Sequence, residues 1–282
     1  MFPDGKQIGG APTNFAYHVS SLGHRGIIAS RIGKDALGKE IFNYLKNFGL
    51  SKEYIQVDSV HPTGTADVKI DKKEYPEYTI KQDVAWDFFE FDKKWKKLAK
   101  KADAIYFCTL SQRSPESYIA IKEFLNNTRK DAVKIFDINL RQDFFSRRII
   151  TESLEETSIL KLNEEELPIL IDLVGFQKNN SYEEDCIALI KEYNLDLVCV
   201  TKGKNGSLLI TEKEIVRHNG FVANVVDTVG AGDAFTAALV VKYLERKSLH
   251  EMSETANKLG SWVSSQVGGM PPVNKEILRE LL

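Results

Sequence analysis

Val133-Lys-Ile-Phe-Asp-Ile138 and Ser158-Ile-Leu-Lys-Leu162, with the helix-like stretch between them, decide how this chain folds. Both runs are short and apolar on both faces. A strand with one wet face alternates apolar and polar residues, whereas a strand covered on both sides reads as nearly continuous hydrophobics, the pattern of parallel sheets. Working outward, Ala104 to Cys108 and Leu197 to Thr201 repeat the pattern, and helical stretches separate all four. The implied architecture is α/β, built from right-handed β-α-β units with helices on both faces of a mainly parallel sheet. Ligands of such sheets bind at the carboxyl ends of the strands. There the sequence turns polar: Asp137-Ile-Asn-Leu-Arg141, Lys161-Leu-Asn-Glu-Glu-Glu166 and Thr201-Lys-Gly-Lys-Asn-Gly206.

Upstream, Ala11 to Leu22 reads as a helix with Pro12 in its first turn and Gly23 as a stop. Gly26 to Ile32 reads as a strand, and Asp35 caps a helix running to about Phe48, where Gly49 ends it. From Tyr54 to about Glu90 the runs Thr65-Ala-Asp-Val-Lys-Ile70 and Tyr75-Pro-Glu-Tyr-Thr-Ile80 flank a charged turn at Asp71-Lys-Lys, which predicts a small sheet with one wet face. Downstream, Gly230 to Leu244 and His250 to about Val267 read as helices, the first apolar nearly all round and therefore buried.

The 282 residues suffice for a sizeable core, and 43% hydrophobic with 28% charged residues describes an ordinary globular protein. A formal net charge of −2 with interspersed signs gives no field for nucleic acid or anionic lipid. The three cysteines, Cys108, Cys186 and Cys199, form no C-x-x-C pair, so reduced apolar fillers are expected rather than a metal or redox site. The opening Met-Phe-Pro-Asp-Gly lacks signal-peptide regions and no apolar run is long enough to cross a bilayer, so a cytoplasmic location is the expectation.

The residues that carry chemistry lie in Asp227-Thr-Val-Gly-Ala-Gly-Asp-Ala-Phe235, between a strand-like run ending near Val226 and the buried helix. Unpaired N–H groups and the positive end of a helix dipole converge there, a ready site for phosphate. The glycines let the backbone approach an anion with no Cβ in the way. Asp233 beside such a hole needs another role, and general base for a hydroxyl attacking a phosphoryl group is the natural one. The plain alternative is a first-turn carboxylate balancing the dipole.

Here the residues resemble a known family. Asp227-Thr228-x-Gly230-Ala231-Gly232-Asp233-Ala-Phe235 is similar to the signature of the ribokinase-like (PfkB-type) carbohydrate kinases. The likeness runs along nearly the whole chain: Gly9-Gly10-Ala-Pro-x-Asn14-x-Ala16 resembles the N-terminal Gly-Gly motif, and Gly33-x-Asp35-x-x-Gly38 the turn after it. Asn163-x-x-Glu166 resembles the N-x-x-E motif and Thr201-x-Gly203-x-x-Gly206 the nucleotide-side loop. The fold implied is a three-layer ribokinase-like sandwich, one α/β domain over 1–282, with a small β lid from about 1–10 and 54–90.

The resemblance also implies roles. Asp233 would be the base, and the amides of Gly230, Ala231 and Gly232 would stabilise charge on the transferring phosphate. Asn163 and Glu166 would hold Mg²⁺ through water; a helix cap with a solvated acidic face is the alternative. Thr201, Gly203 and Gly206 would line ATP, and Asn257 matches the position beside adenine, although an Asn on an amphipathic helix is usually surface. Asp227 matches an aspartate that helps hold a monovalent cation such as K⁺; a turn-capping Asp is the alternative. Gly9, Gly10 and Asn14 match positions near the sugar hydroxyls, against a tight turn and a helical Asn. Arg141 could reach a phosphate or serve as an ion-pair partner.

Pro-Asp-Gly-Lys-x-Ile-Gly-Gly-Ala-Pro, Pro62-Thr-Gly-Thr65 and Val84-Ala-Trp86-Asp87 look most like bacterial fructokinases, with Trp86 as an apolar wall of the sugar pocket or simply as core. Fructose is therefore the favoured acceptor, with 2-keto-3-deoxygluconate, ribose or a nucleoside as runners-up. The apolar face of the lid is expected to close over the sugar and to pair with a second subunit. Family members normally carry a further strand with an acidic residue ahead of the Gly-Gly motif, whereas Gly9 here follows only eight residues. The expectation is either a truncated start or a sheet lacking a central strand, with impaired sugar binding and lower stability, which keeps a non-catalytic sugar- or nucleotide-binding relative open.

Overall fold

A computed structural model describes residues 8–70, 76–179 and 181–281. In its first part, α1 (Ala11–Ser21) leads to β1 (Ser30–Gly33), α2 (Ala36–Asn47), β2 (Ile55–Asp58), β3 (Ala66–Ile70) and β4 (Pro76–Ile80). The middle comprises α3 (Lys93–Ala99), β5 (Ala104–Cys108), α4 (Pro115–Asn126), β6 (Val133–Asp137), α5 (Arg147–Glu155) and β7 (Ile159–Asn163). After it come α6 (Glu166–Val174), α7 (Tyr182–Tyr193), β8 (Leu197–Thr201), β9 (Ser207–Ile210), β10 (Ile215–His218), α8 (Ala231–Leu244), α9 (Leu249–Ser264) and α10 (Lys275–Leu281).

The central sheet has the order β10-β9-β8-β7-β6-β5. β5 to β8 pair in parallel, and β9 and β10 complete the sheet antiparallel. Strand alternation sends successive side chains to opposite faces. Phe136, Leu160 and Val198 pack with α5, α6 and α7 on one side, while Ile135, Ile159 and Leu197 meet α8 and α9 on the other. Covering both faces is what turned these strands into continuous hydrophobic runs, and each fully buried Leu or Ile adds about 1.5–3 kcal/mol of transfer free energy. The outcome is a ribokinase-like three-layer sandwich.

α8 is buried from Ala234 to Val241, as its all-round apolar sequence required. Asp35 caps α2 by accepting the Gly38 N–H at 2.8 Å. Two local expectations differ. The strand-like run ending near Val226 joins no ladder: Val222, Val225 and Val226 are exposed, and the Val226 N–H is held by the Ser264 carbonyl at 2.8 Å. The strand expected over 26–32 begins only at Ser30, preceded by a single bridge from Ile27 to Ser51.

The predicted small sheet appears as β3 paired antiparallel with β4. Residues 1–7 of the expected lid, and its Asp71-Lys-Lys turn, lie outside the described residues. The central sheet ends at β5, and β1 pairs with β2 as a separate parallel ladder. A cleft of about 1190 Å³ runs between them, lined by Ile27 to Ile32 on one side and Ala104 to Cys108 on the other, and opens onto the polar ends of the strands.

Candidate active site

The turn before α8 is built by two close backbone contacts. Gly230 caps the helix with φ +76°, a left-handed conformation natural to glycine. A Cβ there would stand 2.5 Å from the Cα of Gly269. Asp227 clasps the turn: Oδ1 accepts the Val229 N–H at 2.9 Å and Oδ2 the Gly268 N–H at 3.0 Å. Both oxygens thus serve the turn-capping role, and a cation would have to share them. Of the amides expected to face an anion, Ala231 spends its N–H on the Thr228 carbonyl at 3.3 Å. Those of Gly230, Gly232 and also Asp233 find no backbone acceptor among the described residues. Unpaired first-turn donors at the dipole's positive end remain a place for phosphate.

Asp233, in that first turn, lines the cleft. Its Oδ2 accepts a hydrogen bond from Asn14 Nδ2 at 2.8 Å. Burial pushes its carboxyl up to about 6, opposed by the Asn14 hydrogen bond, reinforced by Asp137 and opposed again by Lys161 and Arg141. That places a proton acceptor near neutrality. Asn14 is itself buried, and its Oδ1 has no partner among the described residues. It packs so closely on Gly269 that a Cβ on that glycine would stand 2.9 Å from Nδ2. His18, one turn further along α1, meets the Gly269 carbonyl at 2.9 Å, and burial lowers its pKa to about 4, so it is neutral.

The cleft gathers Gly9, Gly10, Asn14, Arg141, Gly230, Gly232 and Asp233. Gly10 caps α1 with φ +110°. Arg141 is exposed, with Nη1 on its neighbour's carbonyl at 2.9 Å, and it forms no ion pair among the described residues, which leaves it available to an anion. Trp86 also lines the cleft, held between Gly64 and the Arg113 guanidinium, which lies 4.0 Å from its ring.

The residues expected on the nucleotide side lie apart from this lining. Asn163 and Glu166 form a reciprocal helix cap: Asn163 Oδ1 accepts the Glu166 N–H at 2.8 Å, and Glu166 Oε2 accepts the Asn163 N–H at 2.9 Å. Glu166 Oε1 also takes the Leu140 N–H at 2.9 Å, and burial raises its pKa. Among the described residues no group of three or more His, Cys, Asp or Glu is set to hold a metal. The Asn163 and Glu166 side-chain oxygens already accept backbone N–H groups, so the pair would meet a Mg²⁺ through water rather than as direct ligands. Thr201 stands beside Asn163 in register at the ends of β8 and β7. Gly203 and Gly206 shape the loop after it, and a Cβ on Gly206 would fall 2.0 Å from the His218 carbonyl oxygen. Asn257 is buried, its Nδ2 spent on Ser207 Oγ at 2.8 Å and the Ser253 carbonyl at 2.7 Å.

Three residues were missed as site members. Tyr106 donates to Asp137 Oδ2 at 2.9 Å, and Lys161 Nζ lies 3.2 Å from both oxygens of that carboxylate, all at the floor of the cleft. The available signal was a lysine inside the otherwise apolar run Ile159-Leu-Lys-Leu162.

Comparison with known proteins assigns the chain to a family. Residues 4–276 match the pfkB family of carbohydrate kinases, and the chain belongs to that family. A Pyrococcus horikoshii protein classed as a sugar kinase is 26% identical over 97% of this chain and 86% of its own length. A fructokinase of Vibrio alginolyticus is 26% identical over 96% of this chain and 90% of its own. The crystal structure of Vibrio cholerae fructokinase, bound to fructose, ADP and calcium, superposes with a TM-score of 0.82 at 24% identity, covering 100% of this chain and 95% of that one. The chain is thus a sugar kinase of this family.

Proposed function

We propose that the protein transfers the γ-phosphoryl group of ATP to a hydroxyl of fructose, with Asp233 as general base. The observation that carries this is the Asn14–Asp233 couple at the mouth of an unpaired helix N-terminus. The sugar hydroxyl gives its proton to the Asp233 carboxylate as its oxygen bonds to the γ-phosphorus, and the bond from that phosphorus to the β–γ bridging oxygen breaks to release ADP. The free amides of Gly230 and Gly232, with Ala231 completing the turn, stabilise charge on the transferred group. Gly9, Gly10 and Asn14 approach the sugar hydroxyls, and Arg141 approaches the phosphate. Mg²⁺ would neutralise phosphate charge, its water shell ordered by Asn163 and Glu166. Thr201, Gly203 and Gly206 border the nucleotide, with Asn257 behind them.

Fructose is supported by the fructokinase relatives and by the fructose-bound neighbour. A coupled ADP-release assay over fructose, ribose, 2-keto-3-deoxygluconate and nucleosides tests it: highest kcat/KM with fructose is expected, and a clear preference for another acceptor replaces it. Release of no ADP with any acceptor, despite calorimetric binding of sugar or nucleotide, favours a non-catalytic relative. A stimulation by KCl lost in Asp227→Ala would support a K⁺ site there. The β3–β4 lid closing over the sugar and pairing with a second copy belongs to the same reading; only monomer in sedimentation at micromolar concentration removes the dimer.

The raised proton affinity of Asp233 gives a pH dependence with a definite sign. The base works only when ionised, so kcat/KM is expected to fall as pH drops through about 6 and to be level above it. A pH profile with its acid limb near pH 4, the ordinary carboxylate range, would contradict this assignment.

A further inference from the structure

Lys161 sits at the centre of β7 and is 8% exposed. Its ammonium carries three donors, yet the partner found for it among the described residues is the Asp137 carboxylate, at 3.2 Å from each oxygen. Tyr106 fixes that carboxylate from β5. The same ammonium stands 3.5 Å from where a Cβ on Gly232 would lie, beside the peptide that leads into Asp233. Two long hydrogen bonds are poor compensation for burying a cation, and a purely structural pair of this kind is replaceable by apolar residues at little cost. What Lys161 faces is negative charge from Asp137, Glu166 and Asp233.

We propose that Lys161 is a positioning residue for phosphoryl transfer: clamped by Asp137, it supplies the positive charge that keeps Asp233 ionised and able to take the hydroxyl proton. This rests on the reading of Asp233 as base. Asp233 is faced by the neutral Asn14 amide from α1, by Tyr106 and Cys108 from β5, by Asp137 from β6, by Arg141 from the loop after β6, and by Lys161 from β7. Burial holds the Tyr106 and Cys108 protons on. The cations in this set are Lys161 and Arg141, and Arg141 is exposed to screening solvent. Removing Lys161 takes away a buried positive charge and also leaves Asp137 unneutralised beside Asp233, two effects of one sign.

The experiment compares pH profiles of kcat/KM for Lys161→Met, Lys161→Arg and Asp137→Asn, each checked for folding by circular dichroism and thermal unfolding. In Lys161→Met the acid limb is expected to move up by about one pH unit or more. kcat/KM at pH about 6 then falls roughly 5-fold or more against the unchanged chain and recovers at pH about 9, a rescue that a merely structural defect does not show. Lys161→Arg keeps the limb in place. Asp137→Asn moves it down, because Asp137 no longer repels the Asp233 carboxylate and Lys161 loses its competing anion. A Lys161→Met acid limb that coincides with that of the unchanged chain overturns the inference, and Lys161→Gln, which likewise removes the charge, decides it if Lys161→Met does not fold. Failure of the base reading shows separately, as an Asp233→Asn variant with normal turnover.

Discussion

Replacing Asp233 by Asn is expected to lower turnover by at least ~10²-fold, the usual scale for a positioned general base. The substitution keeps the shape of the side chain and an oxygen for the Asn14 amide, so the geometry of the cleft is retained. It removes only the ability to take a proton. Because the folded protein raises the Asp233 pKa to about 6, above its ordinary value, the ionised form is disfavoured by folding at neutral pH. The neutral Asn relieves that cost, so thermal stability at pH about 7 is expected not to fall. Nucleotide affinity should persist, since the free amides at the start of α8 are untouched. Loss of turnover with retained melting temperature and retained calorimetric ADP binding is the predicted combination. Turnover within a few-fold of the unchanged chain would leave Asp233 as a first-turn carboxylate balancing the dipole.

Gly230→Ala is expected to cost ~10²–10³-fold in kcat, the scale seen when one donor of an anion hole is lost. Two physical effects act together. The backbone conformation at φ +76° costs about 1–2 kcal/mol for a residue with a Cβ. The added carbon would also stand 2.5 Å from the Gly269 Cα, closer than real contacts allow, so the turn and the 268–270 loop must separate. That loop carries the Gly268 N–H held by Asp227 and the backbone on which Asn14 and His18 rest. Unlike Asp233→Asn, this variant should lose melting temperature and activity together, and steady-state kinetics with calorimetric unfolding checks both. A variant with unchanged kcat would show that the amides of this turn do not contact the transferring group.

The layered fold was legible because it rests on burial. Phe136, Leu160 and Val198 on one face, with Ile135, Ile159 and Leu197 on the other, left a run of apolar residues in every parallel strand. The capping role of Asp35 and the buried α8 were legible for the same local reasons. Pairing depends on distant partners and was not: nothing in Phe221-Val-Ala-Asn-Val-Val226 announces that its backbone joins no ladder. The site divided similarly. Asp233 and its glycines are consecutive and carry a recognisable pattern. Tyr106, Asp137 and Lys161 come from three successive strands, and their meeting follows from register, Cys108 opposite Asp137 and Asp137 opposite Lys161. Spacing along the chain does not encode register between parallel strands. Asn163 closes β7 while Glu166 opens α6, and the mutual cap between them became visible only once each N–H had found its acceptor.

The close approach of Gly269 to both Gly230 and Asn14 has a consequence for how the enzyme comes into being. The contacts joining Asn14 to Asp233 and His18 to Gly269 close loops of 219 and 251 residues. Loop-closure entropy makes such long-range contacts late events in folding. Helix α1 can seat early against its sequence neighbours Ile28, Leu45 and Leu50, yet the contacts that set Asn14 on Asp233 and His18 on Gly269 must wait for those distant segments. Catalytic competence should therefore appear as the last step of refolding, after the secondary structure of the sheet, and in a single phase rather than by halves.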